Sequence, residues 1–330
     1  MKKVFSLLSL FSIFAAVFVS VPIIASAHVK WFAEPIGDVR PYAITDLPVI
    51  AWIFGAIAFV GLGILIEKKF GVPGWVQKHI NTWAPFVLSL ASVGFGFAFI
   101  MFSLNGFVFA PNLPVEGSVG TALLVLQFIA GLMILLGFYE RIGAFLILIL
   151  YGFLIREHGV WEVIDTLEIV GFAIYALFIG RPKWRLAEAK WLRPMFHRAH
   201  TYGVPLLRAA TGLNLIILGF SEKILAPSLT QNFLMHYDWN FMQTLGFHWF
   251  TDYWFAFSAG MAEIIFGLFF LFGLTTRVTT IALACFLVTT LVILGPIELI
   301  GHLPHFSIAL VFLVLGSGSR LRLVRSSSTA

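Results

Sequence analysis

Apolar runs of membrane-crossing length alternate along this chain with short charged or glycine- and proline-bearing breaks. Such runs lie at about 46–66, 84–106, 118–138, 142–157, 161–180, 204–222, 252–274, 278–297 and 302–318. They predict nine transmembrane helices, since a ~30 Å hydrocarbon core takes about 20 apolar residues as a helix. Residues 1–27 read differently. Lys2 and Lys3 precede an apolar run that closes on Ala25-Ser26-Ala27, the pattern of a cleaved secretory signal. Cleavage there leaves His28 at the N-terminus. The alternative is an uncleaved first span, and either way His28 falls outside.

The pattern occurs twice. Residues 127–180 and 263–316 align without a gap at a constant offset of 136, and over 131–180 12 of 50 positions are identical. The matches include Gly131/Gly267, Gly137/Gly273, Gly159/Gly295, Gly180/Gly316, Arg141/Arg277 and Glu162/Glu298. Chance likeness between two membrane hairpins accounts poorly for the polar matches and the absence of gaps. A duplicated four-helix unit is therefore expected, at 84–180 and 204–318. Residues 28–83 precede it with one extra span, a basic connector 181–203 separates the copies, and 319–330 form a tail.

Charge sets the expected orientation. Lys68, Lys69, Lys78, Arg141, the connector, Arg277 and the tail fall on one side, and only Lys30, Arg40, Arg156 and Lys223 on the other. The positive-inside rule then puts the mature N-terminus outside and the C-terminus in the cytoplasm of a bacterial-type inner membrane. Each unit starts and ends inside, so the repeats are expected to be parallel. The expected fold is an all-α membrane protein of two parallel-repeat four-helix bundles plus one extra N-terminal span.

Composition agrees. Hydrophobic residues make up 60% of the chain and charged ones 11%, where soluble domains carry about 25% charge. The net charge of +5 reads as a topology signal, with no basic run suited to nucleic acid. The single cysteine, Cys285, excludes intrachain disulfides, dithiol exchange and iron–sulfur clusters held by this chain alone.

Arg208-x-x-x-Gly212, Gly219-Phe-Ser-Glu-Lys223, Glu263-x-x-x-Gly267 and Gly273-x-x-x-Arg277 together resemble the DoxX/DoxD-like membrane family. The resemblance covers about 204–318, and 84–180 only through the internal repeat. It implies a four-helix bundle as the unit. Through the DoxD branch it implies an association with thiosulfate:quinone oxidoreductase. The first copy departs from the pattern, with Leu88 expected in the place of Arg208 and Gln127 in that of Glu263. Any site built on those charges therefore belongs to the second copy.

A charge in hydrocarbon costs at least a few kcal/mol, so polar residues within spans carry most of the functional signal. Glu263 lies at mid-span. It is either a protonatable group beside a quinone or ion path, or a structural carboxyl, protonated or paired with Arg208. Glu263, Arg208 and Lys223 are the candidates for a quinone-linked site. No nucleotide, haem or flavin motif is evident, so electrons would come from an outside-facing partner subunit.

A second set lies at the outer end of the first copy. Arg156, Glu157, His158, Glu162, Asp165 and Glu168 stand there, whereas Val292-Ile293-Leu294 of the second copy is apolar. With Glu298 they form either a polar vestibule or an interfacial cap in which Arg156 neutralises a carboxylate. His302 and His305 are three residues apart and, with His28 and His158, offer nitrogen ligands for copper. Metal binding or transport is thus the alternative to quinone chemistry, and a non-catalytic membrane scaffold the third reading. The aromatic loop 228–250, with His236 and His248, is expected in the interface with no chemical role.

Overall fold

The computed structural model describes residue 37 and residues 39–70, 72–295 and 298–324. The expected signal, His28 and the side chain of Glu298 lie outside the described set. Ten helices form the body: α1 (Leu47–Lys69), α2 (Gly74–Leu104), α3 (Gly117–Leu136), α4 (Glu140–His158), α5 (Leu167–Phe178), α6 (Gly203–Leu218), α7 (Pro227–Tyr237), α8 (Asp252–Phe272), α9 (Thr276–Leu294) and α10 (Glu298–Leu315). All but α7 fall on the nine apolar runs. The chain is an α-helical membrane protein, and no named strand occurs among the described residues. Five helices are long and apolar enough to cross a bilayer: α1, α2, α3, α8 and the continuous stretch Ala199–Ile224 that contains α6. α9 and α10 are shorter, α5 has only 12 residues, and α4 carries Glu140, Arg141, Arg156 and Glu157 at its ends.

Small residues set the closest crossings. A Cβ on Gly96 of α2 would lie 2.6 Å from the Gly131 carbonyl oxygen of α3. The pair recurs in α6 and α8, where a Cβ on Gly212 would lie 2.6 Å from the Gly267 carbonyl oxygen. Only hydrogen fits there, so the helix backbones touch and gain dispersion contacts that larger residues would prevent. Helices of the two expected four-helix units pack on one another. α2, the first helix of one set, packs chiefly on α3 and on α10, the last helix of the other, while α6 packs on α8 and α5. Gly171 faces Ala210 at the α5–α6 crossing, and Phe95 stacks on Phe172 at 3.8 Å between α2 and α5. α1 flanks the other helices against α8, tied by the Trp52 Nε1–H to Ser258 Oγ (2.9 Å) and, just before it, the Tyr42 hydroxyl to the Tyr253 carbonyl (2.9 Å). Its other faces expose Phe54, Ile57 and Phe59, as lipid contact requires.

Arginines organise one end of the bundle. Arg141 donates to the Leu177 and Ile179 carbonyls (2.9 and 3.2 Å), and Arg277, at the matched position, to those of Leu313 and Val314 (2.9 and 2.8 Å). In each case a guanidinium satisfies the orphan carbonyls that close a helix. α3 and α8 end on Gly137 and Gly273, both with positive φ (61° and 69°), and a second guanidinium lies against each glycine. Beside Gly273 it is Arg208 of α6, which donates to the carbonyls of Phe270 and Leu271. Beside Gly137 it is Arg181, from the connector, which donates to the Leu135 carbonyl (3.1 Å). Leu135 and Leu271 are themselves a matched pair. The expected correspondence of Leu88 to Arg208 is therefore corrected. The paired glycines align Ser92 with Arg208, and Arg181 supplies the missing cation from another element.

Candidate functional site

α6 does not end in an ordinary turn. Residues Gly219–Ile224 form a π-helical turn, a wider coil that often marks functional positions. Both Glu222 and Lys223 are buried there, at 3% and 6% exposure. Gly219 makes this possible, since its absent Cβ would lie 2.7 Å from the Gly260 carbonyl of α8. Across this contact the Lys223 ammonium lies 3.0 Å from Glu263 of α8 and 3.8 Å from Glu222. Glu263 is thus paired, and its partner is Lys223.

These residues line a cavity of about 110 Å³, near the ~150 Å³ at which an apolar void accepts a benzene ring. Its walls are mostly apolar, with Leu215, Leu218, Phe233, Phe255, Leu283 and Phe286 among them. One further carboxylate comes from the first set of helices. Asn214 Oδ1 of α6 accepts the Leu167 N–H that starts α5 (3.3 Å), and the next residue, Glu168, reaches the cavity wall. Glu168 Oε1 lies 3.8 Å from His305 Nε2, and its Oε2 is buried with no hydrogen-bond partner among the described residues. His302 and His305 both line the cavity, with ring centroids 5.7 Å apart.

The expected residues therefore divide. Glu263, Lys223, Glu168, His302 and His305 come together. Arg208 does not: its guanidinium is buried at the far end of α6 among the carbonyls of Phe270, Leu271 and Leu321, where it holds a helix end. The six-charge vestibule also separates, because Arg156, Glu157 and Glu162 are exposed while Asp165 and Glu168 are buried. His158 ends α4 and is absent from the cavity lining. No group of three or more His, Cys, Asp or Glu residues is placed to hold a metal ion among the described residues. The loop 228–250 departs from the interfacial belt expected of it: α7 turns one face inward, and Phe233 and Trp239 line the cavity. No signal in the sequence separates the inward Phe233 and Trp239 from the aromatic belt expected of this loop.

The cavity owes its existence to a few substitutions between matched positions. Leu123, Gln127, Leu150 and Leu154 in the first set are buried; Ala259, Glu263, Phe286 and Thr290 replace them around the cavity. Gln127 closes the matched place completely. Its Oε1 accepts the Phe109 N–H (2.9 Å), and its Nε2 donates to Ser103 Oγ (3.0 Å) and to the Phe107 and Phe99 carbonyls (3.2 and 3.3 Å).

A polytopic helical membrane protein with a buried, charge-lined cavity in its C-terminal half is the class these features define. The sequence profile of the DoxX family matches residues 203–296, so that half carries a DoxX domain. The match spans α6 to α9, leaving Glu168, His302 and His305 of the cavity outside it. No curated protein and no solved structure matches the chain.

Proposed function

We propose that the cavity binds the ring of a quinone and that the protein is a quinone-linked redox subunit of the membrane. The observation that carries this reading is the Lys223–Glu263 pair, 3.0 Å apart, on the wall of an aromatic-lined cavity among the helices. Burying such a pair costs several kcal/mol in desolvation and contributes little to stability, so a working role accounts for it better than a structural one. The lining suits the ligand: flat apolar walls for the ring, an ammonium for a carbonyl oxygen, and a carboxyl to carry a proton. A bound quinone supplies two-electron, two-proton chemistry. Lys223 would orient it by donating to one oxygen, and Glu263 would hold the proton exchanged there. Electrons would reach it from a partner subunit.

The test is the quinone content of protein purified in mild detergent from its own membranes, beside Glu263→Gln. Stoichiometric quinone in the wild type, reduced in the variant with insertion unchanged, is expected. Wild-type protein that retains no quinone and binds none when it is added would overturn the reading.

A further inference from the structure

The cavity wall is thin on one side. α9 packs on α10 but only sparsely on α8, whereas the matched helices α3 and α4 pack closely. Two substitutions explain the difference. Gly143 lets α4 approach α3, its absent Cβ lying 3.0 Å from the Ala130 carbonyl, and Thr279 stands at the matched position of α9. A hydroxyl and a methyl replace hydrogen at the base of the crossing and hold α9 away from α8. Further along, Leu123 of α3 is buried at 6% exposure, and its match in α8 is Ala259, on the cavity lining. A side chain that would fill the gap is missing.

Phe286 is what remains in the opening. It lines the cavity, yet it is 38% exposed, at the edge of the outward face of α9 between the exposed Ala282 and Thr289 and the cavity-lining Leu283 and Thr290. Its matched residue, Leu150, is fully buried. Among the residues that line the cavity, Phe286 is the one that is exposed at the surface. Trp239 stacks on that ring, with centroids 5.7 Å apart and planes 29° from parallel. Trp239 also lines the cavity, and its Nε1–H is buried without an acceptor among the described residues. Indole N–H groups usually find a partner when buried, because an unmade hydrogen bond is costly.

We propose that the cavity opens sideways into the membrane between α8 and α9, with Phe286 as its door, and that Trp239 donates a hydrogen bond to an oxygen of a ligand that enters from the lipid. The ligand class is a ring-headed amphiphile whose tail stays in the gap, and Trp239 is a binding residue rather than part of an interfacial belt. This inference rests on the quinone reading and adds the route and a second polar contact.

The experiment measures entry, release and affinity of a decyl-tailed benzoquinone for the full chain in lipid nanodiscs. Ala259→Leu restores the residue found at the matched position of α3 and should slow entry and release several-fold. Phe286→Ala should speed both, a change that a misfolded variant would not produce. Trp239→Phe keeps a ring on Phe286 but removes the donor, and should weaken affinity roughly ten-fold. If the wild type binds the probe but neither Ala259→Leu nor Phe286→Ala changes the rates, the lateral door is wrong while the quinone site stands. Unchanged affinity in Trp239→Phe would remove Trp239 from the site. If the wild type binds no quinone, the quinone reading fails and the door falls with it.

Discussion

Gln127 and Glu263 occupy the same position in matched helices, and their surroundings are opposites. The Gln127 amide is bonded on both sides to α2 and the turn that follows it, which seals its half. Glu263 instead faces a cavity and one ammonium. Among the matched positions, this exchange of an amide for a carboxylate is the one that adds a charge to the cavity wall.

The two positions should respond differently to the same exchange. Gln127→Glu replaces a double donor with an oxygen aimed at the Phe107 and Phe99 carbonyls. Each buried group left unsatisfied costs about 1–3 kcal/mol, so a clear loss of thermal stability is expected. Glu263→Gln leaves Lys223 an amide oxygen and the Glu222 carboxylate, and should insert and fold, losing ligand binding more than stability. Equal loss of melting temperature in both variants would show that Glu263 is structural.

Arg208 and Arg181 are the anchors of their helix ends, so their removal should act on stability. Arg208→Ala strands the Phe270 and Leu271 carbonyls and releases the tail at Leu321, at about 1–3 kcal/mol for each buried acceptor left unpaired. Lysine should not rescue it, because one ammonium cannot reproduce a planar fork of donors. Quinone affinity in the protein that still folds should be unchanged. A selective loss of binding with stability intact would return Arg208 to the site.

The limits of sequence reading follow from the same residues. The apolar runs located the helices, and five of those described have the length and apolarity that bilayer thickness demands. Glu263 stood out because charge is costly at mid-span, and Lys223 because it closes the Gly219-Phe-Ser-Glu-Lys223 motif. Their pairing did not, since it depends on a π-helical turn that no spacing rule announces. Arg181 was hidden for another reason: it sits in a basic connector, where charge is cheap, and only the glycine beside it shows that it has replaced Arg208. Trp239 was invisible because inward and interfacial aromatics look alike in sequence.

Acid should loosen the connector. Glu188 bridges Arg193 (2.7 Å) and Arg185 (2.6 Å), and the hydrogen bond from Arg193 chiefly holds its carboxyl below the ordinary range. With a depressed folded pKa, this stabilisation is present above the unfolded value of about 4.3 and fades as pH falls through the folded one. Wild type should melt slightly above Glu188→Gln at neutral pH, and the two should converge in acid. Screening makes the effect small and reduces it further in high salt. A gap that persists below the folded value would assign the difference to packing.

Orientation gives the last prediction. The connector lies at the Gly137 end of α3, where Leu186 N–H donates to the Gly137 carbonyl (3.1 Å) and Tyr139 N–H to that of Ala187 (3.0 Å). The C-terminal stretch lies at the Gly273 end of α8, where Leu323 N–H donates to the Phe272 carbonyl (3.0 Å) and Arg322 pairs with Glu67. Arg277, near that end, reaches Gln77 of α2 (3.5 Å), and Ser89 of the same helix donates to the Lys183 carbonyl (3.1 Å). One end of the bundle thus collects most of the lysines and arginines. The turn at Pro114, bridged to Phe107, starts the opposite end of α3. A positive-inside membrane favours that basic end in the cytoplasm. Tags near Glu188 and after Ala330 should therefore report cytoplasm, and a tag near Pro114 the outside. On that orientation Lys223 and Glu222, in the π-helical turn that follows α6 and away from Arg208, lie in the outer half of the membrane, and the electron-donating partner should be sought outside. A tag at Glu188 that reports outside would reverse the orientation, and the partner would then have to approach from the cytoplasm.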